Sequence, residues 1–482
     1  MTARLEAILV RVEQSSMRAW VLVVLAVALA QRITLLLFYQ PVSYNDTPSY
    51  RRLANAILAN WRGYDGSRTP GYSFLLAFVG PDQRVWLAQL AMGLVITFLF
   101  FYMGWQFTGK AWFGGLTALA YTLNPGQFWF ESNLLSETLT TFWVTLSFAG
   151  IIYWIHQPRH RSVWLAAGMG ICVSLAWLTR PLFIYLPFWL LLFMPDPDLI
   201  TSALRVTARK RGAASSEQQE PGVTKPIKPG IYLPWIKMGV YLLPVFLILA
   251  SWLGFIHKHF HEWSFDTMTG YHLVQHTGVF FQYVPDEYAA LRDTYLKYRD
   301  EHIAQYGTQT NTIWDAIPEM QKVSGLNFYS LSRLLTSISV QLILAHPDLY
   351  AKNLVQGWWY FWRGPVYWMP EYFRLPQIIP LLSGTVLVER FFVFALNLGF
   401  LITTALAVFW KRIRQAWQVP QGLWCIVGAV WGTSLLQTFL DHGDNPRFLI
   451  PMQSLVLLWV LYISVRTLHG KRWSLVSDRS RV

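Results

Sequence analysis

Long apolar runs return again and again along this chain, and they constrain its fold more than any other feature. Windows near 19–39, 85–106, 111–125, 134–155, 162–179, 181–194, 236–256, 385–410, 421–440 and 448–465 are candidate membrane spans. A helix rising about 1.5 Å per residue needs roughly twenty such residues to cross a hydrocarbon core. The windows at 111–125 and 181–194 are short, with little room for tilt. Composition agrees: 54% of the 482 residues are hydrophobic and 13% charged, too apolar for an ordinary soluble domain. The expected fold is therefore an all-α polytopic membrane protein of about ten transmembrane helices.

The net charge of +13 would suit nucleic acid. About half of the lysines and arginines, however, sit in short segments between apolar runs, where they orient spans. A lipid bilayer, not nucleic acid, is the partner this pattern implies. Both cysteines, Cys172 and Cys425, fall inside apolar runs, so no disulfide framework is expected. The first run contains Ala28-Leu29-Ala30, which resembles a signal-peptidase site, but it continues through ITLLLFY to span length, and an uncleaved first span is expected.

Ten spans place both termini on one side. Arg4, Arg11, Arg18, Lys110, Arg159, Arg161, Lys411, Arg412, Arg414 and the tail from Arg466 all fall on that side. So does the polar linker ARKRGAASSEQQEPGVTKPIKPG, which reads as disordered. The positive-inside rule makes this side cytoplasmic. LLTSISVQLILAH (334–346) is apolar but short and reads as an outer or re-entrant helix. WWYFWRGPVYW (358–368) reads as an outer interfacial aromatic belt.

The outward side then carries the charges. After the first span, residues 47–62 read as an interfacial helix with Thr47 as N-cap and Pro48 in its first turn. Tyr50, Leu53, Ala54, Ile57, Leu58 and Trp61 share one face, and Arg51, Arg52, Asn55 and Arg62 face away. Asp46 stands at the positive end of that helix, either supporting the cap or accepting a proton. Arg68, before Thr-Pro-Gly, either anchors the loop at the interface or holds a phosphate through its guanidinium fork. The next outer turn, NPGQFWFESNLLSETL, holds Glu131 and Glu137, the latter inside the start of an apolar helix where a carboxylate is costly. Arg180 and Arg447 stand at other outer span ends, with Asp441 and Asp444 nearby. Acids and arginines from distant segments thus meet on one side, a layout suited to an anionic, lipid-linked substrate.

This combination resembles the GT-C glycosyltransferases, in particular the polytopic enzymes related to protein O-mannosyltransferases and lipid A aminoarabinose transferases. Asp46 and Tyr50 match an Asp-x-x-x-Tyr pattern opening the interfacial helix, and Arg68 falls where relatives carry a basic residue before Pro-Pro. Glu137 in NLLSETL takes the place of a second acid, and Leu-Thr-Arg-Pro (178–181) and Pro-Arg-Phe-Leu-Ile-Pro (446–451) are similar too. The chain departs from the pattern at Thr47 and Ser67, where relatives often carry acids. The resemblance is best over the N-terminal two hundred residues or so.

What the resemblance implies is a GT-C-like bundle with three regions. Residues 1–256 form a transmembrane module with a catalytic first outer loop (40–84) and a cytoplasmic linker (195–234). Residues 257–384 form an extracytoplasmic helical region, and 385–482 the last spans with a basic tail. The implied activity is transfer of a sugar from a polyprenyl-phosphate donor to a glycan, lipid or protein acceptor of the cell envelope, outside a bacterial plasma membrane. Asp46 would be the general base, assisted by Glu137, in an inverting displacement. Arg68, Arg447, Arg180 and Tyr50 would bind the donor phosphate.

The histidines of HKHFHEW and YHLVQH are compatible with a divalent metal ion, although interfacial packing explains them as well. PDEYAALRDTYLKYRDEHIAQY reads as a helix with Tyr288, Leu291, Tyr295 and Tyr298 on one face. Two other readings share the sidedness: an O-antigen ligase or polymerase, and a lipid-linked-glycan transporter or flippase. A transporter would place polar residues deep in several spans, whereas here they concentrate at outer span ends.

Overall fold

The computed structural model describes residues 15–195, 232–364, 366–441 and 445–469. Residues 1–14 of the N-terminal arm, most of the 195–234 linker, Asp444 and the basic tail beyond 469 lie outside the described residues. Among those described no strand forms, and one isolated parallel bridge joins Val42 to Asn133. The fold is all-α, as the apolar runs require.

The chain opens with α1 (Met17–Phe38), α2 (Thr47–Leu58), α3 (Gly71–Val79), α4 (Asp82–Thr108) and α5 (Ala111–Thr122). It continues with α6 (Pro125–Ser132), α7 (Glu137–His156), α8 (Val163–Thr179), α9 (Leu186–Leu191) and α10 (Tyr232–Phe260). Next come α11 (Thr269–Thr277), α12 (Ala289–Tyr306), α13 (Thr312–Ser324), α14 (Phe328–Ala345) and α15 (Pro347–Phe361). The last four are α16 (Ile379–Phe409), α17 (Lys411–Trp417), α18 (Gln421–Leu440) and α19 (Ile450–His469).

Among the described residues, eight helices are long and apolar enough to cross a membrane: α1, α4, α7, α10, α14, α16, α18 and α19. Seven coincide with expected spans. The expected spans at 111–125, 162–179 and 181–194 appear as shorter apolar helices. The eighth long helix, α14, contains the run read above as an outer or re-entrant piece. Its Leu331, Leu335, Ile338 and Leu342 face a core separate from that of the bundle, shared with Tyr271, Phe281, Leu291 and Tyr295. The expected tyrosine face of α12 packs here, with Leu291 and Tyr295 buried.

Between apolar helices, cohesion comes from packing and internal hydrogen bonds rather than from excluding water. Ring N–H and hydroxyl groups therefore reach neighbouring carbonyls: Trp154 to Met194 at 2.9 Å, Trp189 to Cys425 at 2.8 Å, and Tyr241 to Pro187 at 2.8 Å. The expected aromatic belt is partly core instead. Trp362 is buried against Phe400, and Trp358 stacks on Trp431 at 6.0 Å. Side chains that would anchor an interface here fill the seam between α15, α16 and α18.

A candidate anion site at one end of the bundle

Helix α2 stops at Leu58, short of the expected 62, because Asn60 and Trp61 take left-handed backbone angles (φ 54° and 66°). Thr47 does not cap it. Its hydroxyl accepts the Tyr44 N–H at 2.9 Å and donates to the Leu134 carbonyl at 2.9 Å, tying the loop to the α6–α7 turn. Asp46 occupies the N-cap position, but its carboxylate makes no cap bond. The side chain is left available for other partners.

Those partners are arginines from opposite ends of the sequence. Arg68 Nη2 donates to Asp46 Oδ1 at 2.7 Å, and Arg447 Nη1 donates to Oδ2 at 2.7 Å. Arg68 also lies over the Tyr50 ring, 4.6 Å from its centroid, and its Nη1 reaches the Tyr50 hydroxyl at 3.4 Å. The bend that presents Arg68 rests on Gly66 (φ 66°), where a Cβ would also strike the Phe260 ring.

Glu137 opens α7, where the helix dipole favours a carboxylate. Its Oε1 accepts from Arg180 Nη2 at 2.6 Å and from Arg447 Nε. Arg180 follows α8 in an extended conformation that the next residue, Pro181, imposes. Its Nε donates to Ser136 at 3.0 Å, and its guanidinium lies over Phe448. Arg447 comes from the short 3-10 turn Asn445–Leu449 that leads into α19. It joins the two acids.

All six sequence-derived site residues therefore meet: Asp46, Tyr50, Arg68, Glu137, Arg180 and Arg447. Three guanidiniums face two carboxylates, leaving one positive charge in excess. Two buried polar atoms in the cluster have no protein partner, Glu137 Oε2 and Arg180 Nη1, and such atoms normally find one. The Asp46 side chain remains 28% exposed and that of Arg68 24%, so the site is reachable. Burial opposes ionisation of Asp46, but Arg68 and Arg447 outweigh it and hold the carboxyl well below its usual range. Held by both arginines, Asp46 is ionised and a poor base. Chemically the arrangement can grip an oxyanion and keep a carboxylate beside it.

Two other arginines of the first loop find partners within the protein. Arg51 pairs with Asp82, and Arg52 with Asp65 at 2.6 Å, so neither is reserved for lipid. Glu131 is engaged too, by a residue that the apolar pattern hid. Arg32, inside the first span, donates to Glu131 Oε1 at 2.6 Å. The signal for it was only that one charge in the middle of the first apolar run.

Four of the histidines make contacts within the protein: His257 stacks on Trp263, His259 Nδ1 lies 2.9 Å from the Phe255 carbonyl, His272 contacts Asp441 at 3.2 Å, and His276 meets Asn353. Among the described residues no group of three or more His, Cys, Asp or Glu could hold a metal ion. No family model, curated protein or solved structure matches this chain.

Proposed function

We propose that this protein is a membrane glycosyltransferase that moves a sugar from a polyprenyl-phosphate donor to an envelope acceptor on the extracytoplasmic side of a bacterial plasma membrane. The observation that carries the reading is the cluster of Asp46, Glu137, Arg68, Arg180 and Arg447. Five chain segments build it at one end of an apolar bundle, with an excess of positive charge. A lipid-borne phosphate reaches such a site from the bilayer surface, and planar guanidinium forks suit its oxygens.

In the proposed step an acceptor hydroxyl oxygen attacks the anomeric carbon of the donor. The bond from that carbon to the phosphate oxygen breaks, and the electron pair leaves with the phosphate. The hydroxyl proton passes to Asp46. Arg68 and Arg447 serve two states in turn. With the site free they neutralise Asp46; when a phosphate arrives they transfer their hydrogen bonds to it, and the carboxylate recovers its basicity. Base strength is thereby coupled to donor binding. Arg180 and Glu137 brace Arg447, and the phosphate leaves with its charge already matched.

The test is the Asp46→Asn variant, purified and assayed for transfer from a polyprenyl-phospho-hexose beside a measurement of donor binding. Transfer should fall about a thousandfold, within the range of a lost general base, while donor binding and the helical spectrum persist. Full transfer by Asp46→Asn would falsify the assignment of the base.

A further inference from the structure

Beside the anion site lies a cavity of about 270 Å³, between the first loop and the second helical core. Its walls differ in kind. On one side Ser49, Arg52, Asp65 and Arg68 present hydrogen-bonding groups; on the other, Trp314 and Phe328 present aromatic surface. None of Ser49, Arg52, Asp65, Trp314 or Phe328 takes part in the phosphate and base roles assigned above.

The polar wall is built rather than incidental. Asp65 accepts the Ser67 N–H at 3.0 Å and the Ser67 hydroxyl at 2.7 Å through Oδ1, and takes Arg52 on Oδ2 at 2.6 Å. Asp65 and Arg52 balance each other in charge, so the wall offers donors and acceptors without calling for an ionic ligand. The aromatic wall is braced from behind. The Trp314 ring meets Tyr271 at 6.0 Å and the edge of His272 at 5.7 Å. The walls hold a common register because Thr267 donates its N–H to the Gly66 carbonyl at 3.0 Å and its hydroxyl to that of Asp65 at 3.0 Å.

We infer that this cavity binds a single neutral hexopyranose ring, with an apolar C–H face against Trp314 and hydroxyls on Asp65 and Arg52. A pyranose is two-faced in the manner of the cavity: its ring faces are C–H surfaces, and its rim is hydroxyls that each donate and accept. The volume lies just below the roughly 300–1,000 Å³ of drug-sized pockets, room for one ring rather than an oligosaccharide. Arg68 borders the cavity and also holds Asp46, so the ring sits next to the reacting phosphate. The inference deepens the glycosyl-transfer reading and rests on it for the ring's identity as a substrate; binding itself is measured separately.

The full chain, labelled with 5-fluorotryptophan and held in lipid nanodiscs, supplies the test. The fluorine resonance missing from Trp314→Phe reports on the cavity. Methyl hexopyranosides of gluco, manno and galacto configuration are titrated as probes, with inorganic phosphate as the counter-probe. At least one hexoside should move the reporter saturably, and Asp65→Asn and Arg52→Gln should each weaken it about tenfold. Ser49→Gln, which narrows the cavity from the half-buried face of α2 without entering either core, should do the same. A reporter that no hexoside moves, or that phosphate moves instead, overturns the subsite. So does an equal response in wild type and Asp65→Asn.

Adding a polyprenyl-phospho-hexose separates the two sources of the ring. Displacement of the methyl hexoside assigns the cavity to the donor sugar, and simultaneous binding assigns it to the acceptor. Hexoside binding without Asp46-dependent transfer would remove the proposed reaction and leave the subsite. Asp46-dependent transfer with a silent reporter would do the reverse.

Discussion

Among the arginine–carboxylate clusters of the described residues, two are built to opposite specifications. In the first, Arg32 of α1 meets Glu131 of α6 at 2.6 Å, with both side chains almost wholly buried. Arg32 spends its other donors on Thr122 at 2.9 Å and on the carbonyls of Ala28 at 3.1 Å and Leu90 at 3.0 Å. Gly93 of α4 packs so closely on the Glu131 carboxylate that any Cβ there would collide with it. One arginine meets one carboxylate, whose Oε2 is buried without a partner, and solvent is shut out on both sides.

The second cluster holds three arginines against two acids, and Asp46 stays partly open. The electrostatics diverge accordingly. At Glu131 burial outweighs the single arginine and pushes the carboxyl up to about 7. At Asp46 two arginines outweigh burial and hold the carboxyl well below its usual range. A closed pair of this kind ties helices together; an open cluster with surplus arginine is suited to an anion. That difference fits a structural role for the first and, on the glycosyl-transfer reading proposed above, a chemical one for the second.

The comparison breaks most visibly at Arg32. Arg32→Met strands Glu131 in the bundle without its partner, and breaking a buried pair costs about 3–5 kcal/mol. A lower thermal midpoint in detergent is the expected result. Pairing the change with Glu131→Leu should recover most of the loss, because a well-packed apolar pair is often as stable as a buried ionic one. Failure of the double variant to recover would show that the pair does more than join α1 to α6.

Arg68 should behave differently. Asp46 keeps Arg447 when Arg68 is lost, so Arg68→Ala should cost about 1 kcal/mol of stability or less, as for partly exposed pairs. Donor affinity should fall about a hundredfold, in the range of one charge-assisted contact. Arg68→Lys should recover part of it, since the charge survives and the fork does not. A donor affinity unchanged in Arg68→Ala would leave this residue only its role in holding the loop.

The same contrast explains what could be read from sequence. Asp46, Arg68, Glu137, Arg180 and Arg447 were legible because charges at the ends of apolar runs stand out. Arg32 was not, because one arginine leaves the mean hydropathy of its span at 2.4. The role of Thr47 was misjudged because its hydroxyl serves the Leu134 carbonyl, a contact across 87 residues. Trp358 and Trp362 looked interfacial because tryptophan suits both a membrane interface and a core. The cavity beneath Trp314 had no local signal, since it exists only where the first loop meets the second core.

A third pair lies between the two extremes and allows a finer distinction. His272 of α11 meets Asp441, at the end of α18, at 3.2 Å, and joins the second core to the bundle. Burial disfavours the charged imidazole, but Asp441, with Asp266 behind it, outweighs burial and the opposing charge of Arg68, so the His272 pKa is raised. The sign follows from linkage. A histidine with a raised folded pKa contributes stability fully below its unfolded value, about 6.5, and loses it as pH rises through the folded value. The thermal midpoint should therefore decline as pH rises from about 6.5, and the loss should be on the order of 1 kcal/mol, the worth of one charge-assisted hydrogen bond. Asp46 titrates in the opposite sense and far lower, so it stays ionised throughout that interval. His272→Gln should flatten the decline while leaving the midpoint above it nearly unchanged. An equal slope in wild type and His272→Gln would move the titration elsewhere and leave the contrast resting on the first two clusters.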